Sequence, residues 1–231
     1  MNEYISVRDR YVFDKESQKE NDYRDQLFTF MGIDGSGKST QTERLFKKLS
    51  RINKTYIYHH KIEDNKQFHN AMKYLYRNTE NNDQEYISYL VAFEFLQFFV
   101  NDVLEKLEKG YFVILDRSVF DLYVVQKNLF KCDFSRGWEI IEFISKLGTN
   151  IYLSIDYEEA YKRVVSRGKS IKLHEKKENL QRQKKGYDSL KSENIYIIDA
   201  NRSENSISDE IEKLVDERLL LKTIRERGDE K

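Results

Sequence analysis

The stretch from Gly32 to Thr40, which reads Gly-Ile-Asp-Gly-Ser-Gly-Lys-Ser-Thr, constrains the fold of this chain more than any other feature. It follows the apolar run Leu27–Met31 and precedes residues 41–52, whose apolar spacing is that of a helix. A glycine-rich loop between a strand and a helix turns successive main-chain N–H groups towards anionic oxygens, and the helix start adds partial positive charge. The sequence therefore predicts a site for a nucleoside triphosphate.

Polar positions of this phosphate loop have predicted roles. Lys38 would reach the outer phosphates of ATP, and Ser39 would bind Mg²⁺. The other loop residues predicted to bind ATP are Gly32, Gly35, Ser36, Gly37 and Thr40. The alternative interpretation is a glycine-rich turn followed by a chance Lys-Ser pair. That alternative does not explain why a strand precedes the loop and a helix follows it.

Charge and cysteine content exclude several classes of function. The 231 residues include 40 basic and 40 acidic side chains, so net charge gives no reason to expect a nucleic-acid or membrane partner. Cys132 is the one cysteine, which excludes an intrachain disulfide and a cysteine-rich zinc site. The start, Met1 to Gln26, is too charged for a signal peptide, and the apolar run Tyr89–Val100 is short and interrupted. We expect a cytoplasmic protein with an N-terminal extension (1–26) and one domain (27–231).

Apolar runs of strand length alternate with longer helical patterns along this domain. Their nearly continuous apolar character is typical of a parallel sheet that is covered on both faces. The five predicted strands are Leu27–Met31, Thr55–Tyr58, Phe112–Leu115, Ile151–Ile155 and Ile195–Ile198. The sequence thus predicts a three-layer α/β fold with a five-stranded parallel sheet. The longest helix is predicted from Asp83 to Lys109, with Gly110 as its stop.

A second polar motif follows the third predicted strand. Asp116, Arg117 and Ser118 come directly after Phe112–Leu115, at the sheet edge where open α/β folds bind ligands. If this strand neighbours the strand before the phosphate loop, Asp116 can face Mg²⁺ and Arg117 can lie near the transferred phosphoryl group. The alternatives are a helix N-cap for Asp116 and a surface ion pair for Arg117.

Basic residues dominate the segment from Arg163 to Lys191. A mobile flap that carries arginines, a lid at about residues 166–180, would stabilise charge during phosphoryl transfer and exclude water. Arg163, Arg167 and Arg182 are the preferred candidates, because a guanidinium can bind a phosphate in bidentate fashion. A solvated helix face is the alternative, and it is preferred for most of the lysines.

The four histidines form no metal-binding pattern. His59 and His60 are adjacent, so on a strand they would face opposite ways, and one of them could line the acceptor pocket. His69 and His174 are isolated and are interpreted as structural.

From Leu27 to the last helix, the chain resembles thymidylate kinases, which are P-loop nucleoside-monophosphate kinases. The phosphate loop is similar, including an acidic residue at Asp34, and Asp116-Arg117 resembles the family's Asp-Arg-Tyr motif, with Ser118 in third place. Residues 197–203 resemble the loop that borders adenine.

The resemblance implies a P-loop kinase fold with a helical lid, and transfer of a phosphoryl group from ATP to dTMP with Mg²⁺. It implies that Asp34 aligns the acceptor, that Asp116 serves the metal, and that Arg117 contacts the acceptor phosphate. Arg163 and Arg167 would act from the lid, and Ala200 and Asn201 would border ATP. It further implies a homodimer formed through the long helix.

Several positions depart from the family pattern on the acceptor side. The arginine that grips the acceptor monophosphate is replaced by Phe95, and the phenylalanine that stacks on thymine is replaced by Val91. Phe93 could substitute in a shifted register. His59-His60-Lys61 stands where the family has an arginine-containing loop. Asp121 resembles a feature of one branch of thymidylate-kinase-like proteins, which leaves the identity of the acceptor open.

Two alternatives follow from these departures. One is a deoxynucleoside kinase, which needs a carboxylate base near a 5′-hydroxyl; Glu63 and Glu94 are the candidates. The other is a nucleotide-binding protein with little or no transferase activity. The intact Lys38, Ser39 and Asp116 argue against the second.

Overall fold

The strand β1 (Leu27–Met31) lies at the centre of a five-stranded parallel sheet with the order β2-β3-β1-β4-β5. The structure is a computed structural model, and it describes residues 22–59, 66, 68, 70, 71, 74, 84–190, 192 and 194–229. All of β1 and β3 is buried, as their uninterrupted apolar sequences require. The five predicted strands and the α/β fold class are confirmed.

The remaining elements follow the predicted alternation of strands and helices. The strands after β1 are β2 (Thr55–Tyr58), β3 (Phe112–Leu115), β4 (Thr149–Ser154) and β5 (Ile195–Asp199). The helices are α1 (Lys38–Leu49), α2 (Gln84–Phe98), α3 (Glu105–Glu108), α4 (Val119–Val124), α5 (Ser135–Leu147), α6 (Tyr157–Ser166), α7 (Lys177–Asp188) and α8 (Glu204–Asp229).

The direction of each crossover places these helices on two faces. The chain passes from β1 to β2 in one direction and then moves the opposite way through β3, β4 and β5. Because such crossovers are right-handed, α1 covers one face, and the helices between β2 and β5 cover the other. Helix α8 returns to pack against α1, while α2 packs against α5. The result is the predicted three-layer arrangement.

The long predicted helix is interrupted in the structure. Helix α2 continues into a π-helical segment, Phe99–Leu104, before α3, and the chain leaves α3 through Gly110 at φ 74°. The wider π turn was not predicted, because the apolar helix that precedes it gives no sign of a change in helical period. Gly110 is the stop that the sequence predicted.

The stretch Tyr86–Glu108 is long and apolar enough, by length and composition, to cross a membrane. Half of its most apolar window is buried inside the fold. A core helix meets the same criteria, so the expectation of no membrane partner stays a prediction. Of the N-terminal extension, residues 1–21 lie outside the described residues. Tyr23 is buried and donates its main-chain N–H to the carbonyl of Leu147 at 2.9 Å.

Candidate active site

The phosphate loop leaves the carboxyl end of β1 and depends on glycines for its shape. Gly32, Gly35 and Gly37 have φ values of 141°, 90° and 95°, which residues with a side chain rarely adopt. A Cβ at Gly35 would lie 2.4 Å from the carbonyl oxygen of Ala160, and one at Gly32 would lie 2.8 Å from that of Leu153. The loop is therefore pressed against β4 and α6, so any side chain at these two positions would displace it.

Lys38 and Ser36 point polar groups at the interior of this loop. The Lys38 ammonium group donates to the carbonyl oxygens of Gly32 at 2.6 Å and Ile33 at 3.2 Å. The hydroxyl oxygen of Ser36 is buried and has no hydrogen-bond partner among the described residues. A buried hydroxyl without a hydrogen-bond partner costs free energy unless a bound ligand supplies that partner. The glycine-rich loop and the Ser36 hydroxyl therefore fit a polyphosphate.

Asp116 lies beside the start of α1, because β3 pairs directly with β1. Its Oδ2 accepts a hydrogen bond from Ser39 Oγ at 2.7 Å and lies 2.8 Å from Nδ1 of His59. Its Oδ1 is buried and has no hydrogen-bond partner among the described residues. A hydroxyl and a carboxylate with a spare oxygen suit Mg²⁺, which prefers oxygen ligands. The N-cap of α4 is Ser118, so the alternative role of Asp116 as a cap is wrong.

A hollow of about 300 Å³ lies on one side of the loop. Its lining residues are Gly35, Ser36, Gly37, Thr40, Gln41, Arg163, Arg167, Arg202, Glu204 and Ile207. Arg163 and Arg167 thus lie on the predicted ATP side. Ala200 and Asn201 do not line this hollow: Ala200 is buried, and Asn201 bonds to Asp199 instead. The neighbouring residue Arg202 lines the hollow, where Ala200 and Asn201 were predicted to border ATP.

A second cavity, of about 220 Å³, is lined by Asp34 and Arg117 and is called the acceptor cavity below. Apolar side chains form part of its wall, namely Phe95, Leu122, Val125, Leu129 and Phe130. Polar residues complete it, namely Asp34, Arg117, Ser118, Asp121, Gln126, Lys172, His174 and Gln183. An apolar wall with a charged end suits a nucleoside whose 5′ end faces the phosphate loop.

Asp34 lies where this acceptor cavity meets the phosphate loop. Its Oδ1 is 3.4 Å from Arg117 and 4.0 Å from Lys38. Burial raises the pKa of Asp34, but the positive charges of Lys38 and Arg117 outweigh that effect and lower it. Burial opposes the charge of Arg117 in turn, and Asp34 is the first of the nearby anions that raise the pKa of this guanidinium. The two residues therefore form a fixed ion pair at the loop.

The lid contributes a histidine that sequence reasoning interpreted as structural. A 3₁₀ turn, Leu173–Glu175, brings Nε2 of His174 to 3.3 Å from Asp34 Oδ2. His174 is therefore not isolated, as its interpretation assumed, and it also lines the acceptor cavity. No local pattern could have revealed it, since the contact joins the lid to the phosphate loop. Of the predicted lid, residues 166–180, only this turn and the ends of α6 and α7 are helical.

Asp34, His174 and Glu175 could together offer three metal ligands, whose atoms lie within 4.8 Å of one another. The surrounding charges oppose that use. Lys38 and Arg117 flank Asp34, and Arg167 lies 3.6 Å from Glu175. We therefore assign these groups to contacts between the lid and the loop rather than to a metal.

Asp121 is held deep in the wall of the acceptor cavity. Its Oδ2 accepts hydrogen bonds from the main-chain N–H and hydroxyl of Ser118 at 2.7 and 3.0 Å. Its Oδ1 accepts from the hydroxyl of Tyr187 at 2.7 Å. Burial, followed by the charge of Asp121, raises the pKa of Tyr187 well above its ordinary value. This network ties α4 to α7 behind Arg117.

Other predicted residues lie away from both cavities. Phe93 is 55% exposed and lines neither cavity, so it does not replace the stacking phenylalanine. Val91 and Glu94 are buried and line neither cavity, and Arg182 is exposed on α7. Glu63, His60 and His69 lie outside the described residues, as does Lys61.

Gly35→Ala tests the contact between the loop and α6. We expect about 1–3 kcal/mol of destabilisation from overpacking, in addition to about 1–2 kcal/mol for a left-handed alanine. ATP affinity should fall with it, as measured by calorimetric titration. Gly110→Ala is the matched control, since Gly110 also has positive φ, 74°, but nothing within 4 Å of an added Cβ. Equal destabilisation of the two variants would contradict the close approach of the loop to Ala160.

Comparison with known proteins agrees with this geometry. The family model described as thymidylate kinase matches residues 30–211. Among solved structures, a deoxyadenosine kinase from M. mycoides, determined with bound dCTP, is similar. It has 19% sequence identity and a TM-score of 0.54, and the match covers 83% of this chain and 100% of that one. At this identity the likeness shows a shared fold.

Proposed function

The chain belongs to the thymidylate kinase family, and from that membership we propose that it transfers the γ-phosphoryl group of ATP to a nucleoside monophosphate, with dTMP as the default acceptor. The family makes it a phosphotransferase of the nucleoside or nucleoside-monophosphate kinase type. The two spaces beside the phosphate loop support this proposal. The hollow next to Arg163 suits the donor, and the cavity next to Arg117 suits the acceptor.

One observation favours a phosphate over a hydroxyl as the attacking group. A hydroxyl acceptor needs a carboxylate base, and two carboxylates line the acceptor cavity. The lowered pKa of Asp34 makes it a weak base, and both oxygens of Asp121 already accept hydrogen bonds. A phosphate oxygen is already anionic and attacks without a base. The described residues of the cavity therefore offer no good carboxylate base, which favours a monophosphate over a hydroxyl acceptor.

The roles of the chain's residues in this proposal follow from their positions. The loop N–H groups and Lys38 would hold the β- and γ-phosphates, and Ser39 and Asp116 would hold Mg²⁺. When bound, this ion would neutralise charge on the phosphate oxygens. Arg163 and Arg167 face the donor hollow and would stabilise the charge that develops there. Arg117, held by Asp34, would orient the acceptor.

A homodimer is also part of this proposal. Tyr86, Leu90 and Phe93 lie on α2 with their side chains exposed, and the exposed Phe143 lies on the neighbouring α5. Exposed apolar side chains on two neighbouring helices suit burial in a protein interface. Analytical ultracentrifugation at micromolar protein concentrations would measure the oligomeric state. A protein that sediments as a monomer at all of these concentrations would contradict the dimer.

A nucleoside kinase is the second candidate, and one observation favours it. Phe95, which stands where the family has its phosphate-binding arginine, is fully buried in the wall of the acceptor cavity. A coupled assay of ADP release separates the candidates. Turnover with dTMP or another monophosphate supports the proposal, and turnover with nucleosides alone supports the second candidate. ATP binding without turnover of any acceptor would indicate a binding protein.

Phe95→Arg probes the position of the acceptor phosphate. A guanidinium in this wall should tighten dTMP binding by about tenfold, the value of a charge-assisted hydrogen bond, while thymidine gains little. Phe95→Met controls for the lost ring, because it is apolar and fills similar space. Both variants are checked by circular dichroism. If a folded Phe95→Arg protein binds dTMP no more tightly than Phe95→Met, the phosphate does not lie beside this helix.

A further inference from the structure

The wall of the acceptor cavity that is formed by the phosphate loop, the segment after β3 and α4 has no surplus of positive charge for a phosphate. Arg117 is the one guanidinium among the cavity's described lining residues, and it faces the two carboxylates of Asp34 and Asp121. Lys38, which lies 4.0 Å from Asp34, brings the total to two positive and two negative groups, so this half of the cavity has no net positive charge. A phosphate that entered it would find no surplus of positive charge in a partly desolvated site, where charge interactions are strong. Binding of a monophosphate therefore needs further positive groups.

The lid supplies basic groups to the same cavity. Lys172 and His174 belong to the lid and line this cavity together with Asp34 and Arg117. Lys172 is exposed at the rim, and His174 is partly buried against the phosphate loop. An ammonium group and an imidazole that donates a proton or carries charge are both phosphate ligands. The lid thus presents cations at the point where the cavity lacks them.

Buried side chains from α7 fix the position of this part of the lid. Asn179 Nδ2 donates to the carbonyl oxygen of Leu173 at 2.7 Å, and Gln183 Nε2 donates to that of His174 at 2.9 Å. The main-chain N–H of Lys172 donates to Glu175 Oε2 at 2.8 Å. Asn179 and Gln183 are themselves buried. The main chain of the turn is therefore anchored to a packed helix, and its two basic residues line the cavity.

We propose that Lys172 and His174 bind the phosphate of the acceptor and replace the arginine that is absent at Phe95. This inference rests on the proposed function. His174 would exchange its contact with Asp34 for the acceptor phosphate, which leaves Asp34 paired with Arg117 and Lys38. Selection of a monophosphate over a nucleoside then depends on the lid rather than on α2. Acceptor binding and lid closure are coupled, because each contact forms only when the turn lies over the loop.

Calorimetric titration of dTMP and thymidine into the protein, with MgADP present, tests this inference. Lys172→Ala and His174→Gln should each weaken dTMP binding by about tenfold, and the double variant by about a hundredfold. Thymidine affinity should stay within about twofold in every variant, because it lacks the phosphate. Lys169→Ala is the matched control, since Lys169 is an exposed lid lysine that lines neither cavity. It should bind both ligands as the unmodified protein does.

The outcomes distinguish this inference from the function on which it rests. If the unmodified protein binds dTMP no more tightly than thymidine, both this inference and dTMP as the acceptor of the proposed function are wrong. If it prefers dTMP and the double variant keeps that preference, the lid does not hold the phosphate, but the proposed function stands. Equal loss of dTMP and thymidine binding would mean that the two residues support the fold of the lid, and it would overturn the inference.

Discussion

Lys38→Ala is expected to lower kcat by about a thousandfold or more, because phosphoryl transfer depends on positive charge placed on the phosphates. Lys38 is 7% exposed, and its ammonium group donates to two carbonyl oxygens of the loop. A ligand that offers phosphate oxygens can replace those carbonyls without moving the side chain far. The coupled assay of ADP release measures the effect at saturating dTMP.

The fold of the Lys38→Ala variant should survive. Two carbonyl groups lose their donor, which costs about 1–3 kcal/mol per unsatisfied buried group unless water enters. Circular dichroism and thermal unfolding test this point. Lys47→Ala provides the comparison, since Lys47 is exposed on the same helix α1. Near-normal turnover by a folded Lys38→Ala protein would remove the proposed donor site.

Asp116→Asn is expected to lower kcat by about a hundredfold to a thousandfold and to raise the Mg²⁺ concentration needed for half-maximal rate by about tenfold. The change keeps the shape of the side chain but removes its charge. Asp116 Oδ1 is buried and has no hydrogen-bond partner among the described residues, and Oδ2 accepts from Ser39, the other predicted Mg²⁺ ligand. Loss of the carboxylate should therefore lower the rate by weakening the binding of Mg²⁺.

A titration of MgCl₂ at fixed ATP separates a metal effect from a general loss of activity. Asp209→Asn, an exposed change on α8, should leave the Mg²⁺ dependence unchanged. If Asp116→Asn lowers the rate but not the apparent affinity for Mg²⁺, Asp116 serves the site through His59 or Ser39 alone. That result would remove the carboxylate from the proposed metal site.

Much of the fold was predictable because its signals are local. Most strands are apolar runs bounded by polar residues, so the limits of β2 and β3 agree with prediction to the residue. Strand β4 begins at Thr149, two residues before its predicted start, because two buried polar residues extend its pairing with β1. The position of Asp116 beside Ser39 followed from one further assumption, that β3 neighbours β1, and the strand order confirms it. The π-helical segment, Phe99–Leu104, gave no such signal, because no local residue pattern marks a change from the α-helical to the π-helical turn.

The acceptor cavity was less predictable because distant segments build it. Asp121 meets Tyr187 through packing of α4 against α7, and His174 reaches Asp34 only when the lid lies over the loop. Periodicity within either segment says nothing about these pairs. On the donor side, Arg202 lines the hollow in place of Ala200 and Asn201, whose contact with ATP stays a prediction. Asn201 turns back to Asp199 and to the N–H of Asp156, so Arg202 reaches the hollow instead.

Donor and acceptor bind on opposite sides of one phosphate loop in the proposed enzyme. A crystal structure with adenosine and thymidine joined through their 5′ oxygens by five phosphates would show whether they do. We expect adenosine in the hollow beside Arg163 and Arg202, phosphates along the amides of Gly35 and Gly37, and thymidine in the cavity beside Arg117. A structure with thymidine outside that cavity, or with the loop free of phosphate, would contradict this arrangement.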